Sequence, residues 1–263
     1  MKLKSFIASV LRKSYLLPAV SMVLTFPNIL TYHFKNKTYL KTHDIKIPPY
    51  LLMLDAYGHC NAESYHETGL LHSKAISDVI LKYKPNEKIT VCEWGCGSAR
   101  LIQHLKSYNP NIVKLIGTDY NSHTISWCKT NFDNIDFIHN ELEPPLDLPD
   151  NSVDVLYCLS VFTHLSEKQH YNWIKEIKRV LKPNGLLIAS LHGEKTFSRL
   201  FPHELESAKN GNLVTRGQVK EGSGLYIAYH SDNFVKNKLL CGFKDIDKIE
   251  CSFMLQDIWC AVK

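Results

Sequence analysis

The densest chemical signal in the chain is an acid, two glycines one residue apart, and a second acid 22 residues beyond: Glu93, Gly95, Gly97 and Asp119. Glycines directly after an apolar run let a backbone turn approach a ligand closely, and the helix that follows offers N–H groups at its N-terminus. A carboxylate about 20 residues further on is placed to hydrogen-bond ribose hydroxyls. Nicotinamide enzymes use the same device, but the spacing discriminates. A G-x-G-x-x-G fingerprint starting at Gly95 needs a small residue at position 100, where this chain has Arg100, and a bulky side chain there crowds helix–strand packing. Glu93 heads the turn, where it would repel a pyrophosphate and suit a ligand with a cationic amine. A nicotinamide-dependent oxidoreductase is therefore the weaker alternative.

Three histidines could move a proton. His164 follows the fourth predicted strand, His192 the fifth, and His230 ends the run Tyr226-Ile227-Ala228-Tyr229-His230. Histidine is the side chain best matched to general base work at neutral pH. Each also has a structural reading, His164 as a residue capping or packing the next helix, the other two as ordinary loop or core histidines. The thirteen histidines include no H-E-x-x-H or other firm ligand spacing, so no metal is predicted.

The stretch Val91-Cys92-Glu93-Trp94-Gly95-Cys96-Gly97-Ser98-Ala99-Arg100 resembles the first motif of class I S-adenosylmethionine-dependent methyltransferases. The resemblance implies S-adenosylmethionine as cofactor, with the turn on its methionine part, Glu93 near its amino end and Asp119, followed by Tyr120, on the ribose. By the same resemblance, Asn140-Glu141-Leu142 takes the adenine-side position. Ser160 and Val161, within Leu159–Leu165, flank the methyl group, and Tyr65 and Gly69 touch the carboxylate end. Trp94 either shapes the pocket or belongs to the core. The chain departs from the family pattern at Ala99, which stands for a third glycine and suits the turn if its φ is ordinary. It departs also at Glu93, one methylene longer than aspartate, and at Asn140, where an aspartate is usual.

The elements that must position these residues alternate regularly. Apolar runs at 89–92, 113–118, 135–138, 153–158 and 186–190 read as strands, and helical patterns separate them around 70–83, 98–105, 122–131 and 166–180. Ser166 followed by Gln169 marks a capping box, and Lys182-Pro183-Asn184-Gly185 stops the helix that it opens. This alternation predicts an α/β fold, a Rossmann-like doubly wound and mostly parallel sheet, with ligands at the carboxyl ends of its strands. The family resemblance adds an antiparallel last strand over 256–262. Domain organisation is read as an N-terminal helical extension over 1–64 and a methyltransferase domain over 65–263. An irregular, glycine-punctuated insertion over 193–230 is placed as a substrate lid.

Charge is distributed unevenly. Residues 1–46 hold eight basic side chains against one acid, a net of +7, within a chain of 31 basic and 26 acidic residues. The remainder therefore has 23 against 25, a net of −2, which argues against a nucleic-acid partner. Leu3, Phe6, Ile7, Val10, Leu11, Ser14 and Leu17 form one helical stripe that Pro18 should end, and Pro27 interrupts the apolar run that follows. That run is too short to span a bilayer, leaving two readings for residues 1–30: a helix lying on an anionic membrane surface, or one packed on the protein's own core. Eight cysteines without a C-x-x-C pair suit a reducing compartment, and the protein is expected to be cytoplasmic, with membrane association open. Methyl transfer to oxygen of a small-molecule or lipid- or saccharide-linked acceptor is the predicted activity. A non-catalytic cofactor-binding module is the other alternative.

Overall fold

A computed structural model describes residues 8, 10–12, 14, 16–249 and 254–263, with the backbone alone at 17–19, 21–26 and 28. Leu3, Phe6 and Ile7 of the predicted stripe lie outside the described residues, as does the side chain of Leu17. The chain forms two compact units, one of Val20–Glu141, the other of Leu142–Lys263 together with the segment before Val20.

In the first unit, α1 (Leu17–Leu40), α2 (Tyr50–Tyr57) and α3 (Ala62–Tyr83) precede β1 (Ile89–Trp94), α4 (Ile102–Tyr108), β2 (Ile112–Asp119), α5 (Ser122–Asn131) and β3 (Asp136–His139). The strands pair in parallel in the order β3-β2-β1. β1 is buried along almost its whole length, as a strand covered on both faces must be. Asn61 and Asn121 cap α3 and α5, accepting backbone N–H bonds through their side chains.

Contrary to the expected interruption, α1 continues through Pro27. A proline inside a helix removes one hydrogen bond and costs about 3 kcal/mol. The cost is offset by packing of Ile29 and Tyr32 against the cluster of Met53, Cys60 and Tyr65. Buried Asn36 fixes the register, its Nδ2 donating to Cys60 O at 2.6 Å and its Oδ1 accepting from Ala62 N at 2.8 Å.

The second unit holds β4 (Val153–Cys158), a 3-10 turn at Phe162–His164, α6 (Glu167–Val180) and β5 (Leu181–Leu191), then the insertion, α8 (Asp232–Phe234, continued as a π-helical turn to Leu239), β8 (Lys244–Ile249) and β9 (Asp257–Val262). β4 and β5 are parallel, while β9 runs antiparallel to both β5 and β8. The fold class is the expected one: α/β, Rossmann-like and mostly parallel, with an antiparallel last strand.

The segment over 193–230 is not irregular. It folds into a 3-10 helix (Glu194–Arg199), α7 (Pro202–Lys209) and a two-stranded antiparallel sheet of β6 (Val214–Arg216) and β7 (Ile227–Tyr229). Ala208, Val214 and Tyr229 give it a small core of its own, packed by Phe197, Leu200 and Ile227. Its glycines punctuate short elements, which a reading for long periodic runs passes over.

Arg12 is buried, and its Nη1 donates to the carbonyls of Arg216 and Leu225 at 2.7 Å each and of Gly217 at 3.2 Å. The segment before Val20 therefore clasps the insertion by one cation.

Candidate active site

The glycine turn after β1 is held from two sides. Thr118 O accepts from the N–H groups of Gly95 and Cys96 at 2.8 and 2.9 Å. Gly97 N donates to Asp119 Oδ2 at 2.9 Å, and Asn121 N to Asp119 Oδ1 at 2.8 Å. Gly97 takes a φ of +50°, and a Cβ there would lie 3.0 Å from the Tyr57 hydroxyl. Both demands select glycine.

Ala99 also adopts a left-handed φ, +61°, so the condition of an ordinary φ is not met. A non-glycine residue in that region costs about 1–2 kcal/mol, and the surrounding bonds impose the conformation. Tyr65 Oη donates to Ser98 O at 2.8 Å and accepts from Gln103 Nε2 at 3.3 Å. Tyr57 Oη bonds Ser98 Oγ at 2.9 Å and accepts from Ser98 N at 3.2 Å.

Arg100 does not crowd a helix here. Its guanidinium stacks on the Tyr57 ring at 4.9 Å and donates to Thr68 Oγ1 at 2.6 Å. Gly69 makes room for the same residue, since a Cβ on it would sit 2.6 Å from Arg100 O. Tyr65 and Gly69 therefore brace the turn through the backbone of Ser98 and Arg100. Tyr57 had no signal in the sequence motif, because it reaches the turn from a helix more than thirty residues upstream.

Glu93 and Trp94 are buried at the end of β1, with Glu93 in register opposite Gly117. Burial raises the Asp119 carboxyl above the usual range, opposed by the N–H bonds from Asn121 and Gly97. Tyr120 is half-buried, its hydroxyl pushed up to about 12 by burial and by Asp55 and Asp119. Asn140 N donates to Asp119 O at 3.1 Å, and its side-chain Nδ2 donates to Glu141 O at 2.7 Å. Asn140 Oδ1 is buried with no partner, an acceptor in want of a donor. Glu141 itself is exposed.

In the second unit, Ser160 lies two residues past β4 with a φ of +62°. Its N–H donates to Ser190 Oγ at 2.8 Å, Gln256 Nε2 donates to its hydroxyl at 2.8 Å, and Ser190 Oγ donates to Gln256 Oε1 at 2.5 Å. Three strand ends are locked together by that triad. Val161, half-buried beside it, leads into the 3-10 turn. Leu142 O accepts from Trp173 Nε1 at 2.9 Å. Ser166 caps α6, but only half of the predicted capping box forms. Its hydroxyl accepts from Gln169 N, while Ser166 N donates to Glu221 Oε1 and Gln169 Nε2 turns to Glu143 at 2.7 Å.

The insertion sets the histidines. His164 Nδ1 bonds Tyr226 O at 2.7 Å and His192 Nδ1 bonds Ala228 O at 3.2 Å. Carbonyls two residues apart on an extended segment point the same way, so one edge orients both rings. A carbonyl only accepts, so both histidines carry the proton on Nδ1 and keep Nε2 bare. Burial lowers His164 and takes His192 down to about 4, leaving both neutral.

His230 is placed differently. It is fully buried, and its Nε2 meets His170 Nε2 at 2.8 Å, with His170 Nδ1 on Ser166 O at 2.8 Å. By the same logic His230 Nε2 donates to His170, so the ring is a core partner, while the His230 backbone N–H donates to His192 O at 2.8 Å. His170 lay outside the expected residues; its only sequence signal is a place on the inner face of α6. Among the described residues no group of three or more His, Cys, Asp or Glu side chains could hold a metal ion.

The family model described as a methyltransferase domain matches residues 92–189. A probable S-adenosylmethionine-dependent methyltransferase of Mycolicibacterium smegmatis is 31% identical over 113 residues, 41% of this chain and 40% of that protein. The chain spans about 40% of the length of the curated relatives it matches. Among solved structures, a SAM-dependent methyltransferase of Methanosarcina mazei is 20% identical with a TM-score of 0.50, covering 70% of this chain and 94% of its own. Human N-acetylserotonin methyltransferase in complex with SAM is 18% identical with a TM-score of 0.50, covering 86% and 62%. These likenesses extend the agreement to the fold.

Proposed function

We propose that this chain, whose residues 92–189 match a methyltransferase-domain model, is a class I S-adenosylmethionine-dependent methyltransferase that moves a methyl group onto an oxygen of a small-molecule or lipid- or saccharide-linked acceptor. One observation carries the cofactor half of this reading: the Asp119 carboxylate is tied to the Gly97 N–H, and Asn140, whose N–H donates to Asp119 O, has a buried Oδ1 without a partner. Those atoms are acceptors suited to the hydroxyl and amino donors of a nucleoside. The glycine turn and Glu93 suit an amino-acid moiety. When bound, the cofactor supplies a methyl already activated as a sulfonium, so the protein's task is positioning, which can contribute roughly 7–11 kcal/mol.

His192 supports oxygen as the acceptor atom. Its bare Nε2 accepts the proton of an acceptor hydroxyl, while Nδ1–H stays on Ala228 O and disperses the charge that the ring gains. His164, held in the same tautomer by Tyr226 O, orients the hydroxyl as a second acceptor. The folded insertion that supplies both carbonyls is placed to choose the substrate.

Calorimetry with S-adenosylhomocysteine tests the reading. Binding by the native chain and its loss in Gly97→Arg support it; no binding, or a variant that binds as well, overturns it. Labelled methyl transfer into alcohol-bearing extracts then separates an enzyme from a binding module.

A further inference from the structure

Four residues of one helical stripe leave the first unit uncovered. Leu30, Phe34, Lys37 and Lys41 follow one another at intervals of four, three and four, which places them along one line of α1 and its continuation. Leu30 is 63% and Phe34 75% exposed, and both lysines are exposed. The opposite line of the same helix, Ile29, Tyr32 and Asn36, is spent on the core beneath. The His33 ring meets Tyr50 edge-on at 6.2 Å, which brings the start of α2 alongside, and Leu51 there is 73% exposed. Between the two helices lies a depression of about 360 Å³ lined by His33, Lys37, Leu40, Lys41 and Tyr50. Residues 20–54 contain four lysines and a single acid, Asp44.

We propose that this surface docks on an anionic phospholipid membrane, with Leu30, Phe34 and Leu51 entering the headgroup boundary and Lys37 and Lys41 meeting lipid phosphates. Large apolar side chains exposed as a group mark an interaction site. The charge beside them selects the occupant, because a cationic rim complements anionic headgroups, and lysine stems lie along apolar surface while their ammonium groups stay at the interface. No helix among the described residues is long and apolar enough to cross a membrane, so the contact is interfacial. Apart from Leu30 it lies beyond the segment 1–30, for which an apolar stripe and basic charge left a membrane-surface helix as one of two readings, and it does not depend on which acceptor is methylated.

Flotation of the full chain with phosphatidylcholine vesicles, plain or carrying phosphatidylglycerol at about one part in four, tests the proposal. Binding to the anionic vesicles only, weakening as salt is raised, is expected. Lys37→Ser with Lys41→Ser should lower affinity about 25-fold, at about fivefold per lysine. Phe34→Ser with Leu51→Ser should lower it more than about tenfold. Thermal melting of each variant, unchanged because the side chains are exposed, reports that the fold is intact. Binding that either double variant leaves intact, or equal binding to neutral vesicles, overturns the proposal. So does a dimer that Phe34→Ser abolishes in a chain that ignores vesicles, because a second copy would then be the occupant.

Discussion

The N–H of Gly97 donates to Asp119 Oδ2 at 2.9 Å, so the glycine turn and the second acid form one hydrogen-bonded unit. Asp119 closes that turn through one oxygen, and its other oxygen caps the start of the next loop through Asn121 N. A change at Asp119 therefore acts on the geometry of the turn as well as on the ribose contact proposed for it.

Asp119→Asn tests this. An amide offers one acceptor where two N–H donors now point, so one buried donor loses a charge-assisted bond worth about 1.5–3 kcal/mol. S-adenosylhomocysteine affinity should fall roughly 10- to 100-fold by calorimetry, and the melting temperature by several degrees. In the native chain, burial raises this carboxyl, so the folded state holds its proton more tightly than the unfolded chain does. Cofactor affinity should therefore weaken on acidification at a higher pH than for an exposed aspartate, while this group by itself favours folding as the pH falls through that window.

His192→Gln removes the bare ring nitrogen but can keep a bond to Ala228 O. The turnover rate should fall about 10²- to 10⁴-fold, with S-adenosylhomocysteine affinity unchanged. Because burial takes the native His192 down to about 4, kcat/KM should stay flat from neutral pH and decline only near that value, as the base acquires its proton. A limb at the ordinary histidine value would exclude His192 as the base.

Gly69→Ala places a methyl 2.6 Å from Arg100 O, a backbone atom that cannot swing aside. Overpacking of this kind costs about 1–3 kcal/mol. Differential scanning fluorimetry should show a lower melting temperature, and cofactor affinity should drop with it, because the displaced backbone belongs to the turn.

Arg12→Gln strips a cation from three carbonyls of the insertion. Leaving buried acceptors unmet costs about 1–3 kcal/mol. Limited proteolysis should then cut within 211–225 faster than in the native chain. S-adenosylhomocysteine affinity should hold, since Asp119 and the glycine turn are held by bonds of their own.

Much of the molecule was legible from spacing. The strand over 153–158, helix 122–131 and the cap at Ser166 depend on neighbours in the chain: period, cap residues and turn residues. The glycine turn and its acid were legible for the same reason. What tertiary structure alone decided was which atoms meet across long stretches of chain. Tyr57 covers a turn forty residues away, Gly69 yields space to Arg100, and Gln256 locks Ser160 to Ser190. Ala99 shows the limit most clearly. A non-glycine residue favours an ordinary φ, yet Ala99 is left-handed directly after Ser98, whose backbone is fixed by Tyr57 and Tyr65, and fixed partners can outweigh a local cost of about 1–2 kcal/mol. The three histidines were equal in sequence. Only burial and carbonyl placement separated the two with a bare Nε2 from His230, whose Nε2 is engaged by His170, since protonation is set by what surrounds a ring and not by where it stands in the chain.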